Sequence, residues 1–388
     1  MEATSLTLFP ELQIDALSEN ATGLYPSQRI QEFIDFGYIS ASVPIIQEQI
    51  QPASLDLRLG PVAYRVRASF LPGPTSTVLR KAEEFKTHEI DLTRPSVLEK
   101  GCVYVVPLVE EWNLPAGIAG KSNPKSTTGR LDIFTRLITD YASEFERVPP
   151  GYHGKMFVEI VPRTFSILVQ AGTRLNQLRF IRGAPSPSDS KLSELHEKTV
   201  LLYVEDGAVS TPTISDGLWI SVDLDGTDGS EIIGYRAKAH APLVDLQRVD
   251  YYDPAEFWEP IVRPKGRRLI LNPEDFYILA SKEKVRIPLD HAAEMVGYDP
   301  SVGEFRIHYA GFFDPGFGYG SDDIKGTHAV LEVRSHEAPF VLEDGQRVGR
   351  LIYERMLAPP DKVYGTAIGS TYQSQGLALS KQFKRLAS

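Results

Sequence analysis

The sequence predicts a mainly β protein built as two tandem units with few short helices, and three observations carry that prediction. Turn residues are abundant, with 30 Gly and 28 Pro in 388 residues. Between them lie short runs rich in Val, Ile, Leu, Tyr and Phe, such as VYVVPLV, MFVEIV, FSILVQA and LLYVED. Short β-branched and aromatic runs bounded by turn residues are strand signals. Third, the chain repeats itself at a nearly constant offset, the mark of duplicated structural units.

The repeat has three parts in the same order. SLDLRLGPVAYRVRA (54–68) echoes SVDLDGTDGSEIIGYRAKA (221–239), with Tyr64 and Tyr235 171 residues apart. RVPPGYHGKMFVEI (147–160) echoes FFDPGFGYGSDDIKGTHAVLEV (312–333), and VQAGTRLNQLRF (169–180) echoes LEDGQRVGRLIY (342–353). Glu159 and Glu332 are 173 residues apart, as are Gly172 and Gly345. The Pro-, Ser- and charge-rich stretch 182–199 suits a joint, which divides the chain into units 1–199 and 200–388. One helix is expected near the start, where PSQRIQEFIDFG offers Ser27 as a cap, an apolar stripe at Ile30, Phe33 and Ile34, and Gly37 as a stop. DPAEFWEPIV reads as a weaker helical turn.

Composition narrows the function. A 42% hydrophobic fraction permits a proper core, and 24% charged is ordinary for a globular protein. The net charge of −10 lacks the basic field that a general nucleic-acid or membrane-surface binder needs. No apolar run of about twenty residues offers a membrane span, and the N-terminus lacks a signal-peptide pattern. The single cysteine, Cys102, fits a reducing cytoplasm and reads as a small buried residue.

Against that acidic background, GKSNPKSTTGR (120–130) holds three cations and four hydroxyls without one apolar side chain. Lys, Arg, hydroxyls and backbone N–H groups on a Gly-containing turn are what a phosphate takes. The spacing is not that of a Walker loop, and a solvated surface loop is the plain alternative. Glu159 and Glu332 are lone carboxylates in apolar strands at equivalent places in the two units. Each either faces solvent, or faces a closed pocket where desolvation raises its pKa into the range of a general base. Asp314, in the aromatic-flanked turn FFDPGFG, is held on a tight bend and is suited to a sugar hydroxyl, or is a plain hairpin residue. The tail VYGTAIGSTYQSQGLALSKQFKRLAS either folds over a ligand or hangs loose. The eight histidines are scattered with no H-x-E or H-E-x-x-H, and one cysteine cannot supply P-C-x-x-C, so no zinc site is expected.

Taken in order, these motifs resemble the dCTP deaminase branch of the trimeric dUTPase-like family, twice over in one chain. PSQRIQEFIDFGYIS is similar to its N-terminal helix, and IQPASLDLRLG to its early strand. NLPAGIAGKSNPKSTTGR is similar to its phosphate-binding motif, with Lys125, Ser126 and Arg130 at the functional places. RVPPGYHGKMFVEI and FFDPGFGYG…AVLEV each resemble its D-P-G…E motif, whose Glu is the base, and Tyr364, Tyr372, Gln375 and Lys381 stand in the likeness of its nucleotide-closing tail. The resemblance implies two distorted β-barrel or jelly-roll units. It also implies hydrolysis of dCTP to dUTP and ammonia without zinc, and Mg²⁺ carried by the triphosphate. The expected assembly is a cytoplasmic trimer of two-unit chains.

The departures are informative. In the first unit the turn Asp is replaced by Pro149, while Arg147 and Glu159 remain. In the second, Asp314 and Glu332 remain, but the phosphate motif has decayed to GYDPSVGEFR. A composite site is therefore expected, with Lys125, Ser126 and Arg130 from the first unit and Asp314, Glu332 and the tail from the second. The competing assignment keeps Glu159 as base, with sites formed only among copies of the first unit; Arg147 is expected among the substrate-binding residues. A dUTP diphosphatase, a bifunctional deaminase–diphosphatase and a non-catalytic deoxynucleotide-binding protein are the rival functions.

Overall fold

The computed structural model describes residues 21–185, 187–204, 207–297, 305–307, 311–319, 325–335, 338–364 and 377–385. Strands dominate, and each half carries the same pairing scheme. In the first half, Ile118–Pro124 pairs with Arg174–Arg182, which also pairs with Leu55–Arg58, and Arg147–Val148 joins at the other edge. In the second half, His291–Gly297 pairs with Arg347–Arg355, which also pairs with Leu218–Ser221, and Phe312–Phe313 takes the edge. Both ends of the two central strands in each sheet are displaced by 173 residues, the offset legible in the sequence.

A second sheet in each half follows the same rule. Val62–Val66, Val103–Asn113, His153–Pro162 and Ile133–Thr139 lie side by side, mirrored by Ile232–Ala237, Phe276–Val285, Thr327–Ser335 and Phe305–Ile307. Alternation along Thr327–Ser335 fixes what each face does. Ala329, Leu331 and Val333 enter the core of the second half, so His328, Val330 and Glu332 face the other way.

The halves are joined through their interiors. Tyr235, Val244, Phe257, Trp258 and Phe276 belong to the first half's core cluster, and Val244–Asp245 runs parallel to Ile167–Val169. Phe383, at the end of the tail, sits in the same cluster with ring centroids 5.2 Å from Phe257 and 5.9 Å from Trp258.

Helices are few and differ from expectation in detail. The first spans Ser27–Asp35 with Pro26, not Ser27, at the cap position; Ser27 Oγ instead donates to Asp361 from the tail side. Pro254–Phe257 forms the expected turn, capped by Asp253 Oδ1 accepting from Ala255 N at 2.9 Å. The joint segment is not a plain linker: Asp189–Lys198 is helical, with Leu192 and Leu195 packed on the second core. Cys102 is partly exposed rather than buried, and Arg65 Nη2 donates to its Sγ at 2.9 Å.

Candidate active site

The basic loop is built by a strand that ends. Ile118–Pro124 runs antiparallel to Arg174–Arg182 as far as the Pro124–Asn176 pair. Lys125 N then donates to Leu175 O at 2.8 Å, and the short helix Ser126–Gly129 turns the chain. Thr128 Oγ1 anchors that turn on Leu175 O at 2.8 Å, and Arg130 follows. The end of the loop is buried, with Arg130 7% exposed, while Ser126 is exposed and Lys125 and Thr127 are half-buried.

One cavity of about 520 Å³ gathers both halves of the chain, a size suited to a small ligand. The first half supplies Lys125, Ser126 and Arg130; the second supplies Asp314, Glu332, Tyr364 and Lys381. Seven of the eleven residues expected at the site are therefore brought together in a single chain. Two are not: Arg147 is exposed on its edge strand opposite Lys121, and Glu159 lies outside the cavity. Tyr372 and Gln375 lie outside the described residues.

Several cations of the cavity surround one carboxylate. Asp56, buried, accepts from Lys125 Nζ at 2.5 Å and lies 3.5 Å from Arg174 Nη1. Burial pushes the Lys381 ammonium below its usual pKa, and repulsion from Lys125 and Arg174 adds to that, opposed by Asp56.

Glu332 lines the same cavity and is 5% exposed. Burial pushes its carboxyl up to about 8, with Arg130 pulling it down and Asp132 pushing it up. A carboxyl so placed changes protonation near neutrality, the property of a general acid–base group. Asp314 is held by Arg179, a fully buried guanidinium from the first half. Arg179 donates to Ala293 O at 3.0 Å, Phe313 O at 2.9 Å and Asp314 Oδ1 at 3.4 Å, and stacks 4.0 Å over Phe312. The turn after Asp314 needs Gly316, whose φ is +93° and where a Cβ would meet Val363 at 2.6 Å.

The tail is seated on the loop. Arg130 Nη1 donates to Ala378 O at 2.9 Å, Ser380 Oγ to Thr127 O at 2.9 Å, and Gln382 Nε2 to Leu246 O at 3.2 Å. Tyr364 packs on Phe317 with centroids 5.6 Å apart. Sequence reasoning missed Asp56, Arg174 and His328 as lining residues. Asp56 lies in the quoted motif SLDLRLG, but nothing local marks its carboxylate as the partner of Lys125.

Glu159 has a different environment. It is buried, and its cross-strand neighbour Arg136 donates to Oε1 through both Nε and Nη2, at 3.0 and 2.6 Å. Among the described residues no group of three or more His, Cys, Asp or Glu is placed to hold a metal ion. No described helix is long and apolar enough to cross a membrane.

Residues 21–184 match the family described as the 2'-deoxycytidine 5'-triphosphate deaminase (DCD) N-terminal domain, and residues 188–383 the corresponding C-terminal domain. The crystal structure of 2'-deoxycytidine 5'-triphosphate deaminase from Agrobacterium tumefaciens is similar, with a TM-score of 0.82 and 49% identity over 86% of this chain and 99% of that one. Among curated relatives, a "dCTP deaminase, dUMP-forming" of Methanobrevibacter smithii is 31% identical over 178 residues, covering 44% of this chain and 84% of its own length. A protein of the same description from Halobacterium salinarum is 27% identical over 189 residues, covering 47% of this chain and 90% of its own.

Proposed function

This chain belongs to the 2'-deoxycytidine 5'-triphosphate deaminase family, and from that premise we propose that it deaminates dCTP by hydrolysis, releasing dUTP and ammonia, at one composite site within each chain. The observation that carries the proposal is the shared cavity: the polyhydroxylic basic loop of the first half and the buried Glu332 of the second line the same space.

In the proposed reaction the triphosphate lies along Lys125, Arg174 and Lys381, and the cytosine ring meets Glu332. Glu332, as carboxylate, takes a proton from water while the oxygen adds to C4. It passes that proton to N3, then carries the proton of the new C4 hydroxyl to the amino nitrogen; the C4–N bond breaks, the C4 oxygen becomes the uracil carbonyl and ammonia leaves. Arg130 favours the ionised form of Glu332 and stabilises charge developing on the ring, and Ser126 orients the water. Asp314 accepts from a sugar hydroxyl, with Arg179 holding its carboxylate in place. Positioned proton transfer of this kind is worth roughly 10²–10⁴ in rate. The scheme asks nothing of zinc. Mg²⁺ enters on the triphosphate, where it offsets phosphate charge. The dUTPase-like barrel, a trimer of two-unit chains and a cytoplasmic setting belong to the same proposal as expectations from the family resemblance.

A second reading has a specific support: the Methanobrevibacter and Halobacterium relatives are described as dUMP-forming. Those relatives cover less than half of this chain, whereas the Agrobacterium protein, matched over nearly its whole length, is described as a deaminase without that qualifier. We therefore favour dUTP as the product. Incubation with dCTP and Mg²⁺, with ammonium and pyrophosphate measured together, tests this. Ammonium without pyrophosphate is expected. Equimolar pyrophosphate would establish the dUMP-forming reaction, and pyrophosphate from dUTP without ammonium from dCTP would make the chain a diphosphatase.

A further inference from the structure

Two residues beyond Arg130 in the chain, and two beyond Glu332, stand Asp132 and Arg334. They meet across the boundary between the halves: Arg334 Nη2 donates to Asp132 Oδ2. Both are buried, at 0% and 3% exposure. Thr164 closes a triangle with them, donating from Oγ1 to Asp132 Oδ2 at 2.5 Å and accepting from Arg334 Nη2 at 3.0 Å. The other arm of the guanidinium donates to Glu274 O. Asp132 has φ of 55°, a left-handed conformation that a non-glycine residue adopts at a cost. Its backbone is tied on both sides, N to Gly129 O at 2.8 Å and O to Arg163 N at 2.9 Å.

Relative to two apolar residues of the same volume, a buried ion pair adds little stability, because desolvation offsets attraction. What a planar guanidinium fork adds is direction. Strand alternation places Glu332 and Arg334 on one face, so the arginine that grips Asp132 shares a rigid element with the carboxyl that faces Arg130. We infer that Asp132 and Arg334 form a positioning pair for the deamination step, holding the end of the basic loop against the Thr327–Ser335 strand so that Arg130 meets Glu332. The inference rests on the proposed reading of the site as a dCTP deaminase. The negative charge of Asp132 also opposes Arg130 at Glu332, raising the pKa that Arg130 lowers.

The test compares the wild-type chain, Asp132→Asn, and the double variant Asp132→Asn/Arg334→Gln, which leaves no unpaired charge buried. The readouts are ammonium release from dCTP, circular dichroism and thermal unfolding. Displacement of a catalytic group by about 1 Å costs on the order of 10² in rate. The folded double variant is therefore expected to lose 10- to 100-fold in kcat, with KM for dCTP within about threefold. In Asp132→Asn the acid limb of the kcat profile should move to lower pH, a shift a merely structural residue would not produce. A folded double variant with wild-type kcat, a loss confined to KM, or a double variant that does not fold would each overturn the inference. A wild-type chain releasing no ammonium would sink the deaminase reading, and the pair's role with it. Wild-type turnover unaltered in the variants would sink the pair's role alone.

Discussion

Arg136 lies directly across from Glu159 on the adjacent strand and donates two hydrogen bonds to a single oxygen of its carboxylate. The guanidinium is stacked 3.6 Å from the centre of the Phe145 ring, and its Nη2 also donates to Ser69 Oγ at 2.6 Å. Glu159 is thus an ion-paired carboxylate within the first half, while its counterpart Glu332 faces the cavity with a raised pKa. The two glutamates at equivalent places thus stand in different environments.

That difference makes a stability prediction. Arg136→Met leaves Glu159 buried without its cation, and breaking a buried pair on one side costs roughly 3–5 kcal/mol. The double variant Arg136→Met/Glu159→Gln removes both charges and should recover most of the loss. Urea denaturation of the wild type, Arg136→Met, Glu159→Gln and the double variant measures this directly. Additive losses in the double variant would show that the pair is not coupled.

Glu332 sets a pH dependence whose sign can be worked out. Its ordinary value is 4.5 and burial raises it to about 8. Between those values the native state holds a proton that the unfolded chain has released, so its contribution to stability falls as pH rises through that window. Glu332→Gln escapes this loss. Its melting temperature should rise above that of the wild type as pH goes from 5 to 9, and an unchanging difference would contradict the assigned burial. Because the base acts as carboxylate, wild-type kcat/KM for dCTP should climb with pH and level off above about 8.

The cation cluster predicts selectivity for the triphosphate. A charged hydrogen bond contributes about 1.5–3 kcal/mol, so Lys125→Met should raise KM for dCTP by about 10- to 100-fold. Binding of deoxycytidine, which has no phosphates, should change little. Parallel titrations with the nucleotide and the nucleoside separate the two, and equal weakening of both would remove Lys125 from the phosphate site.

Much of this was legible in the sequence because it is periodic or chemically unusual. Strands at a 173-residue offset kept their pairing partners, so the echo of Gly172 in Gly345 mapped onto two equivalent bends. The polarity of 120–130 stood out against apolar strands, and the loop does line the cavity with Lys125, Ser126 and Arg130. What stayed hidden depends on pairing register. Arg136 sits in LDIFTRLITD with no local signal, and becomes the partner of Glu159 only once two strands are aligned. Asp56 and Arg174 meet because Leu55–Arg58 pairs with Arg174–Arg182, more than a hundred residues away. The helix Val78–Phe85 was missed because its one clear cue is Thr77, whose side chain accepts from Arg80 N.

Because one chain furnishes both ends of the cavity, activity should not require neighbours. Specific activity measured across a thousandfold dilution, alongside sedimentation, should stay constant even if the assembly dissociates. A fall that tracks dissociation would place part of the site on another chain.

In the proposed reaction Glu332, not Glu159, is the base of a site shared by the two halves. Initial rates of ammonium release from dCTP by Glu332→Gln and Glu159→Gln, each normalised to folded protein, test it most directly. A loss of about 10²–10⁴ is expected for Glu332→Gln, and a rate within a few-fold of wild type for Glu159→Gln. Turnover that survives in Glu332→Gln and disappears in Glu159→Gln would contradict it.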